Sequence, residues 1–103
     1  MERYCLVLDC GATSLRAVAV SEKGEILHLS SFPNAPSPQE GEKDFLIWDV
    51  DEIWRKFTLA IRQVIAEAGK EIFAVTVTTF GADGAPVRRD GTLTYPVISW
   101  QCQ

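Results

Sequence analysis

At 103 residues, 47% hydrophobic and 23% charged, the chain has the length and composition of one small globular domain with a modest core. A formal charge of −4 and a pI near 4.9, with no basic stripe, argue against nucleic acid and anionic membranes as partners, because both need Lys and Arg against phosphates. A polyphosphate bound here has to be held mainly by backbone N–H groups and a metal ion, helped by one or two cationic side chains.

Tyr4–Leu8 is a short apolar, β-favouring run that reads as a strand buried on both faces. It is far too short for a signal peptide or a membrane span, and Asp9 ends it. Asp9–Ser14 supplies a tight polar turn, Leu15–Val20 a second strand, Glu22–Glu25 a second turn and Ile26–Phe32 a third strand. Two turns linking three runs predict an antiparallel meander. Residues 33–44, with Pro33, Pro36, Pro38 and Gly41, read as a loop, the longest irregular stretch of the chain, with a plain connector preferred over a functional or mobile loop.

Asp49 opens a helix: its carboxylate can accept from first-turn N–H groups, and Glu52 occupies the reciprocal capping-box position. Val50, Ile53, Trp54, Phe57, Ile61, Val64, Ile65 and Ala68 recur at helical spacing as one apolar stripe that packs on the sheet, with Trp54 in the core. Trp48 precedes the cap in a position to staple it, and Gly69 is a natural C-cap. Ile72–Thr79 is a β-branched strand that can lie parallel to the first, because the helix provides the crossover. Gly81–Gly84 form a flexible turn, and Val87 with the Arg89-Asp90-Gly91 corner predicts a short hairpin returning through Thr92–Ile98. The order is β-β-β-α-β plus a hairpin, an α/β arrangement without internal repeats.

Cys5, Cys10 and Cys102 are an odd set without CxxC spacing, which gives neither a disulfide framework nor a zinc site and suits reduced thiols in a cytoplasmic setting. His28 reads as a strand residue with no ligand role.

The chemically informative segment is Asp9-Cys10-Gly11-Ala12-Thr13-Ser14-Leu15-Arg16. Gly11 permits a close approach of backbone to ligand, and consecutive turn amides can bind an anion. Thr13 and Ser14 add hydroxyl donors and Arg16 adds charge. Asp9 repels a bare phosphate and makes sense with Mg²⁺ or its water shell in between, which points to a magnesium nucleotide. On this segment alone a plain hairpin, with Asp9 and Thr13 satisfying local backbone groups, stays open. No Walker A loop occurs in the chain.

Taken with Val77-Thr78-Thr79-Phe80-Gly81-Ala82-Asp83-Gly84 and Tyr95-Pro96-Val97-Ile98-Ser99-Trp100-Gln101-Cys102, that segment makes the chain resemble the FGGY family of carbohydrate kinases over essentially its whole length. The first stretch is shared widely among actin-like ATPases, whereas all three in this order are much more specific. The resemblance implies the ribonuclease H-like fold of the actin, hexokinase and heat-shock-chaperone superfamily. It also implies transfer of the ATP γ-phosphate to a hydroxyl of a ketose such as L-fuculose. Position by position, it implies Asp9 near Mg²⁺, through water, and near the transferring phosphate. Gly11, Ala12, Thr13 and Ser14 would form the phosphate turn, with Arg16 beside the phosphates. Many members carry threonine where this chain has Ala12; the fuculose-phosphorylating branch shares the alanine, and one hydroxyl contact is absent.

The second stretch looks like the sugar-recognition turn, with Asp83 accepting from two sugar hydroxyls and Phe80 on the apolar side of the pocket. Trp100 resembles the family tryptophan that packs against the substrate. A turn residue capping its own backbone remains open for Asp83, and a core aromatic for Trp100.

The resemblance places the catalytic base, an aspartate, and the adenine-binding domain beyond residues 1–103, which then make up a partial N-terminal domain. An isolated chain of this kind is expected to be inactive, because phosphoryl transfer needs both sides of a cleft. It is also expected to present an apolar face where the remainder docks, which favours self-association. Competing readings are another FGGY kinase, for L-rhamnulose, D-xylulose or a polyol, and a non-catalytic actin-like nucleotide module. The latter shares the Asp9 turn but needs neither Asp83 nor Trp100.

Overall fold

In the computed structural model, residues 3–69, 71–81 and 83–99 are described, apart from the side chains of residues 42–44. The first three strands, β1 (Arg3–Cys10), β2 (Ser14–Ser21) and β3 (Ile26–Pro33), form the expected antiparallel meander. Along β1, Tyr4, Leu6, Leu8 and Cys10 are buried while Cys5, Val7 and Asp9 are half-exposed. Burial of this strand on both faces is thus corrected to burial on one face, the one that a helix covers.

Residues 33–44 are not a structureless connector. They contain β4 (Ser37–Gln39) and the start of β5 (Glu42–Trp48), antiparallel partners joined through Gly41 at φ 80°. Ser-Pro-Gln and Glu-Lys-Asp have little strand propensity of their own, and Pro38 is tolerated because β4 is an edge.

The helix α1 (Val50–Ala68) follows. Asp49 caps it, its Oδ1 accepting from the Glu52 amide at 3.1 Å. Gly69 ends it at φ 60°, donating to the Ile65 carbonyl at 3.1 Å. The reciprocal half of the capping box does not form, because the Glu52 carboxylate turns outward to Arg55 in two hydrogen bonds of 2.6 and 2.9 Å. Of the apolar stripe, Phe57, Ala60 and Val64 are buried and Ile53, Ile61 and Ala68 pack at its margin. Trp54, expected in the core, is 58% exposed, and Ile65 is exposed too. Both sit roughly a quarter turn round the helix from the buried line, at 100° per residue.

Strand β6 (Glu71–Thr78) pairs parallel with β1, so the main sheet runs β3-β2-β1-β6 with α1 as the crossover. Across β1 and β2, Leu6 lies opposite Ala19, Leu8 opposite Ala17 and Cys10 opposite Leu15. The small residues on β2 let α1 approach closely, and its Phe57, Ala60 and Val64 complete a core with Tyr4, Leu6, Leu8 and Leu15. Each large aliphatic or aromatic side chain buried here contributes about 1.5–3 kcal/mol. Because α1 lies across β2 and β3, Val75 and Val77 of β6 remain 58% and 63% exposed although they sit beside Leu6 and Leu8.

The expected hairpin after β6 is reduced to one bridge between Val87 and Leu93, closed by Gly91 at φ 90° and by an Arg88 amide bond to the Thr92 carbonyl at 2.7 Å. The return stretch ends in β7 (Val97–Ile98), which pairs with β5 and completes a second sheet, β4-β5-β7. No helix among the described residues is long and apolar enough to cross a membrane.

Candidate functional site

Parallel pairing sends the carboxyl ends of β1 and β6 to the same edge of the sheet, where ligands of open α/β sheets gather. The loop after β1 is Gly11-Ala12-Thr13, and the loop after β6 begins at Thr79. Two clusters form there.

The first is the bend itself. The Gly11 amide donates to the Ser14 carbonyl at 2.9 Å, and a Cβ on Gly11 would lie 2.9 Å from that same oxygen, so only glycine fits. Asn34 binds the bend from behind: its amide donates to the Thr13 carbonyl at 3.0 Å and its Nδ2 to the Gly11 carbonyl at 2.9 Å. The amides of Ala12 and Thr13 donate to no acceptor among the described residues, and they are the groups an anion can use. Gly11 therefore serves by its shape, since its own amide is engaged within the bend. Thr13 is exposed and Ser14 half-buried.

Asp9 stands opposite Arg16 on β2 and Thr78 on β6, on the sheet face turned away from α1. Asp9 and Arg16 are close in register but form no ion pair among the described residues. No group of three or more potential metal ligands occurs among the described residues. The donor set of one carboxylate beside two amides fits a hydrated Mg²⁺ that arrives on a polyphosphate better than a resident metal ion.

The second cluster joins Trp48, Phe80 and Asp83. Trp48, at the end of β5, is only 2% exposed and stacks on Phe80 with ring centroids 4.3 Å apart and planes at 16°. Its indole Nε1 donates to Asp83 Oδ2 at 2.5 Å. The three line a cavity of about 380 Å³ whose other walls include Leu8, Phe57 and Val77. That is the size and character of a small-molecule site, an apolar enclosure with a few polar groups to set orientation.

Cys10 links the clusters. It lines the cavity, and its Sγ lies 4.0 Å from Asn34 Nδ2 behind the bend. Burial pushes its thiol pKa up, a hydrogen bond with Thr79 pulls the other way, and the charge of Asp9 adds to the rise. The protonated thiol is a packing group here and a poor nucleophile.

Of the residues singled out in the sequence, Asp9, Gly11, Ala12, Thr13, Ser14 and Arg16 gather at the bend, and Phe80 and Asp83 gather at the cavity. Trp100 lies outside the described residues. Two participants escaped sequence reasoning. Trp48, expected as a helix staple, belongs to the cavity, and Asn34 gave no signal within its proline-rich stretch.

The sequence profile of the FGGY family of carbohydrate kinases, N-terminal domain, matches residues 4–103. L-fuculokinase of Haemophilus influenzae is 41% identical over 103 residues, covering 94% of this chain and 22% of that protein. L-fuculokinase of Escherichia coli K12 is 44% identical over 102 residues, covering 98% of this chain and 22% of that protein. Glycerol kinase of Thermococcus gammatolerans is 34% identical over 107 residues, covering 100% and 21%. The chain spans about a fifth of the length of the curated relatives it matches. Among solved structures, gluconate kinase from Lactobacillus acidophilus superposes with a TM-score of 0.79 at 16% identity, over 97% of this chain and 20% of that one. Xylulose kinase from Rhodospirillum rubrum gives 0.79 at 18% identity, over 98% and 21%. At these identities the likeness is one of fold, the ribonuclease H-like fold of sugar kinases.

Proposed function

Because the chain belongs to the FGGY family of carbohydrate kinases, we propose that residues 1–103 are the N-terminal part of a cytoplasmic kinase that transfers the γ-phosphate of ATP to a hydroxyl of a ketose of the L-fuculose type. The observation that carries this reading is the pairing of the two clusters at one sheet edge. A bend with its carbonyls tied inward stands beside a cavity with a carboxylate fixed at its wall.

In this reading the amides of Ala12 and Thr13 and the hydroxyls of Thr13 and Ser14 meet the phosphates, and Arg16 offsets their charge. Asp9 orients the water shell of the metal. Mg²⁺, when bound, neutralises charge on the phosphate oxygens. Asp83 accepts from sugar hydroxyls, which fixes the ring for in-line attack, while Phe80 and Trp48 exclude water on one side and Trp100 packs on the sugar. The base that takes the hydroxyl proton lies in the remaining four fifths of the family's length, so residues 1–103 alone do not turn over substrate. L-fuculose is favoured over glycerol because the L-fuculokinases are 41–44% identical to this chain and the glycerol kinase 34%.

The test is kinetic, on the protein expressed from its full reading frame, with Mg-ATP and a panel of L-fuculose, L-rhamnulose, D-xylulose, glycerol and gluconate. L-fuculose is expected to give the highest kcat/KM. Asp83→Ala is expected to raise the sugar KM at least about tenfold, the scale of a lost charged hydrogen bond, with the ATP KM unchanged. An unchanged sugar KM refutes the role of Asp83, and a preference for another acceptor reassigns the substrate within the family.

A further inference from the structure

Asn34 follows β3 in a stretch marked in the sequence only by its prolines, yet it is 7% exposed. A buried amide side chain has to place its hydrogen bonds, and Asn34 spends its donors on the bend. Its backbone N–H reaches the Thr13 carbonyl at 3.0 Å, and its Nδ2 reaches the Gly11 carbonyl at 2.9 Å and lies 4.0 Å from Cys10 Sγ. With the Gly11 amide on the Ser14 carbonyl, these bonds engage the carbonyls of Gly11, Thr13 and Ser14.

The chemical consequence concerns anions. A bend binds phosphate through its amides only when its carbonyls, which carry negative charge, are turned elsewhere and held there. The clamp is itself anchored, since the neighbouring Pro33 carbonyl accepts from Lys56 Nζ of α1 at 2.7 Å. We infer that Asn34 is a positioning residue for the polyphosphate site: it holds the Gly11 and Thr13 carbonyls inward so that the Ala12 and Thr13 amides face the ligand. The inference rests on reading the bend as the phosphate site of a kinase.

Two variants of the full-length protein test it. Asn34→Ala removes the Nδ2 donor to the Gly11 carbonyl and keeps the backbone bond to the Thr13 carbonyl. Asn34→Asp keeps the volume, and with it the packing, but sets a carboxylate oxygen against the Gly11 carbonyl. Calorimetric titration with Mg-ADP reads nucleotide affinity without turnover, and steady-state kinetics give the KM for Mg-ATP and for sugar. Both variants are expected to weaken Mg-ADP and raise the ATP KM about tenfold, the scale of one lost buried hydrogen bond, with sugar KM changed less than about twofold. Unchanged nucleotide affinity in Asn34→Asp, or equal weakening of nucleotide and sugar, overturns the positioning role. Arg16→Ala and Asp9→Asn separate this from the underlying reading. If they weaken Mg-ADP and the Asn34 variants do not, only the Asn34 inference fails. If none of the four does, the phosphate-site reading fails and takes the inference with it.

Discussion

The indole Nε1–H of Trp48 donates to Oδ2 of Asp83 at 2.5 Å, tying the last residue of β5 to the loop after β6. The bond joins the small sheet to the main one at the wall of the cavity, and the stack of Trp48 on Phe80 supports it. Trp48→Phe keeps an aromatic ring against Phe80 and removes the donor. It is expected to lower stability by about 1–3 kcal/mol, because a part-buried carboxylate loses a partner. In the full-length protein, on the proposed kinase reading, it is expected to raise the sugar KM about five- to tenfold while leaving nucleotide affinity in place. Chemical denaturation and the two KM values check this, and an unchanged sugar KM removes Trp48 from the site.

Gly11→Ala tests the bend. The added methyl would meet the Ser14 carbonyl at 2.9 Å, the very oxygen that accepts from the Gly11 amide, so the bend opens to make room. The expected cost is about 1–3 kcal/mol, with nucleotide affinity falling further than the stability loss explains. Gly84→Ala is the control: nothing lies within 4 Å of its added methyl, and its φ is not positive. Its stability is expected to stay within about 0.5 kcal/mol of the parent. Equal losses in the two variants contradict a steric role for Gly11.

What was legible in the sequence was local. The capping aspartate Asp49, the C-cap Gly69 and the antiparallel meander of β1, β2 and β3 follow from residues a few positions apart, and all three recur in the structure. The tight turn over Gly11–Thr13 was legible because a glycine and hydroxyl residues interrupt two apolar runs. The rest depended on distant partners. Within residues 33–44, β4 is a strand because Ser37 and Pro38 pair with Ile47 and Leu46 of β5, and β5 in turn pairs with β7 about fifty residues on, which no local propensity announces. Trp54 shares the helical spacing of the core but lies on its flank, where periodicity cannot tell centre from margin. Trp48 and Asn34 take their roles from partners 35 and 23 residues away in sequence.

The two ends of α1 give a further comparison. Asp49→Ala is expected to cost about 1 kcal/mol through loss of the N-cap bond to the Glu52 amide. Gly69→Ala is expected to cost about 1 kcal/mol, because a side chain is strained at φ 60°. Glu52→Ala is expected to leave the thermal midpoint unmoved, since its carboxylate pairs with the exposed Arg55 and caps nothing. A loss at Glu52 as large as that at Asp49 would restore the capping box.

Cys10 makes stability depend on alkaline pH. Burial, and to a smaller degree the charge of Asp9, raise its pKa above 9.0, against the opposing hydrogen bond with Thr79. A thiol whose pKa is higher folded than unfolded favours the fold while it stays protonated. Its contribution is complete below the unfolded value and is lost as pH rises through the folded one. The denaturation midpoint is therefore expected to fall above about pH 9 in the parent and to fall less in Cys10→Ala, which has no thiol to ionise. The same shift predicts slow alkylation of Cys10 by iodoacetamide at pH 8, because the thiolate is the reactive form. Peptide mapping of the alkylated protein reads this directly, and rapid modification of Cys10 in the folded chain, or identical alkaline profiles for parent and variant, contradicts a thiol held protonated by its surroundings.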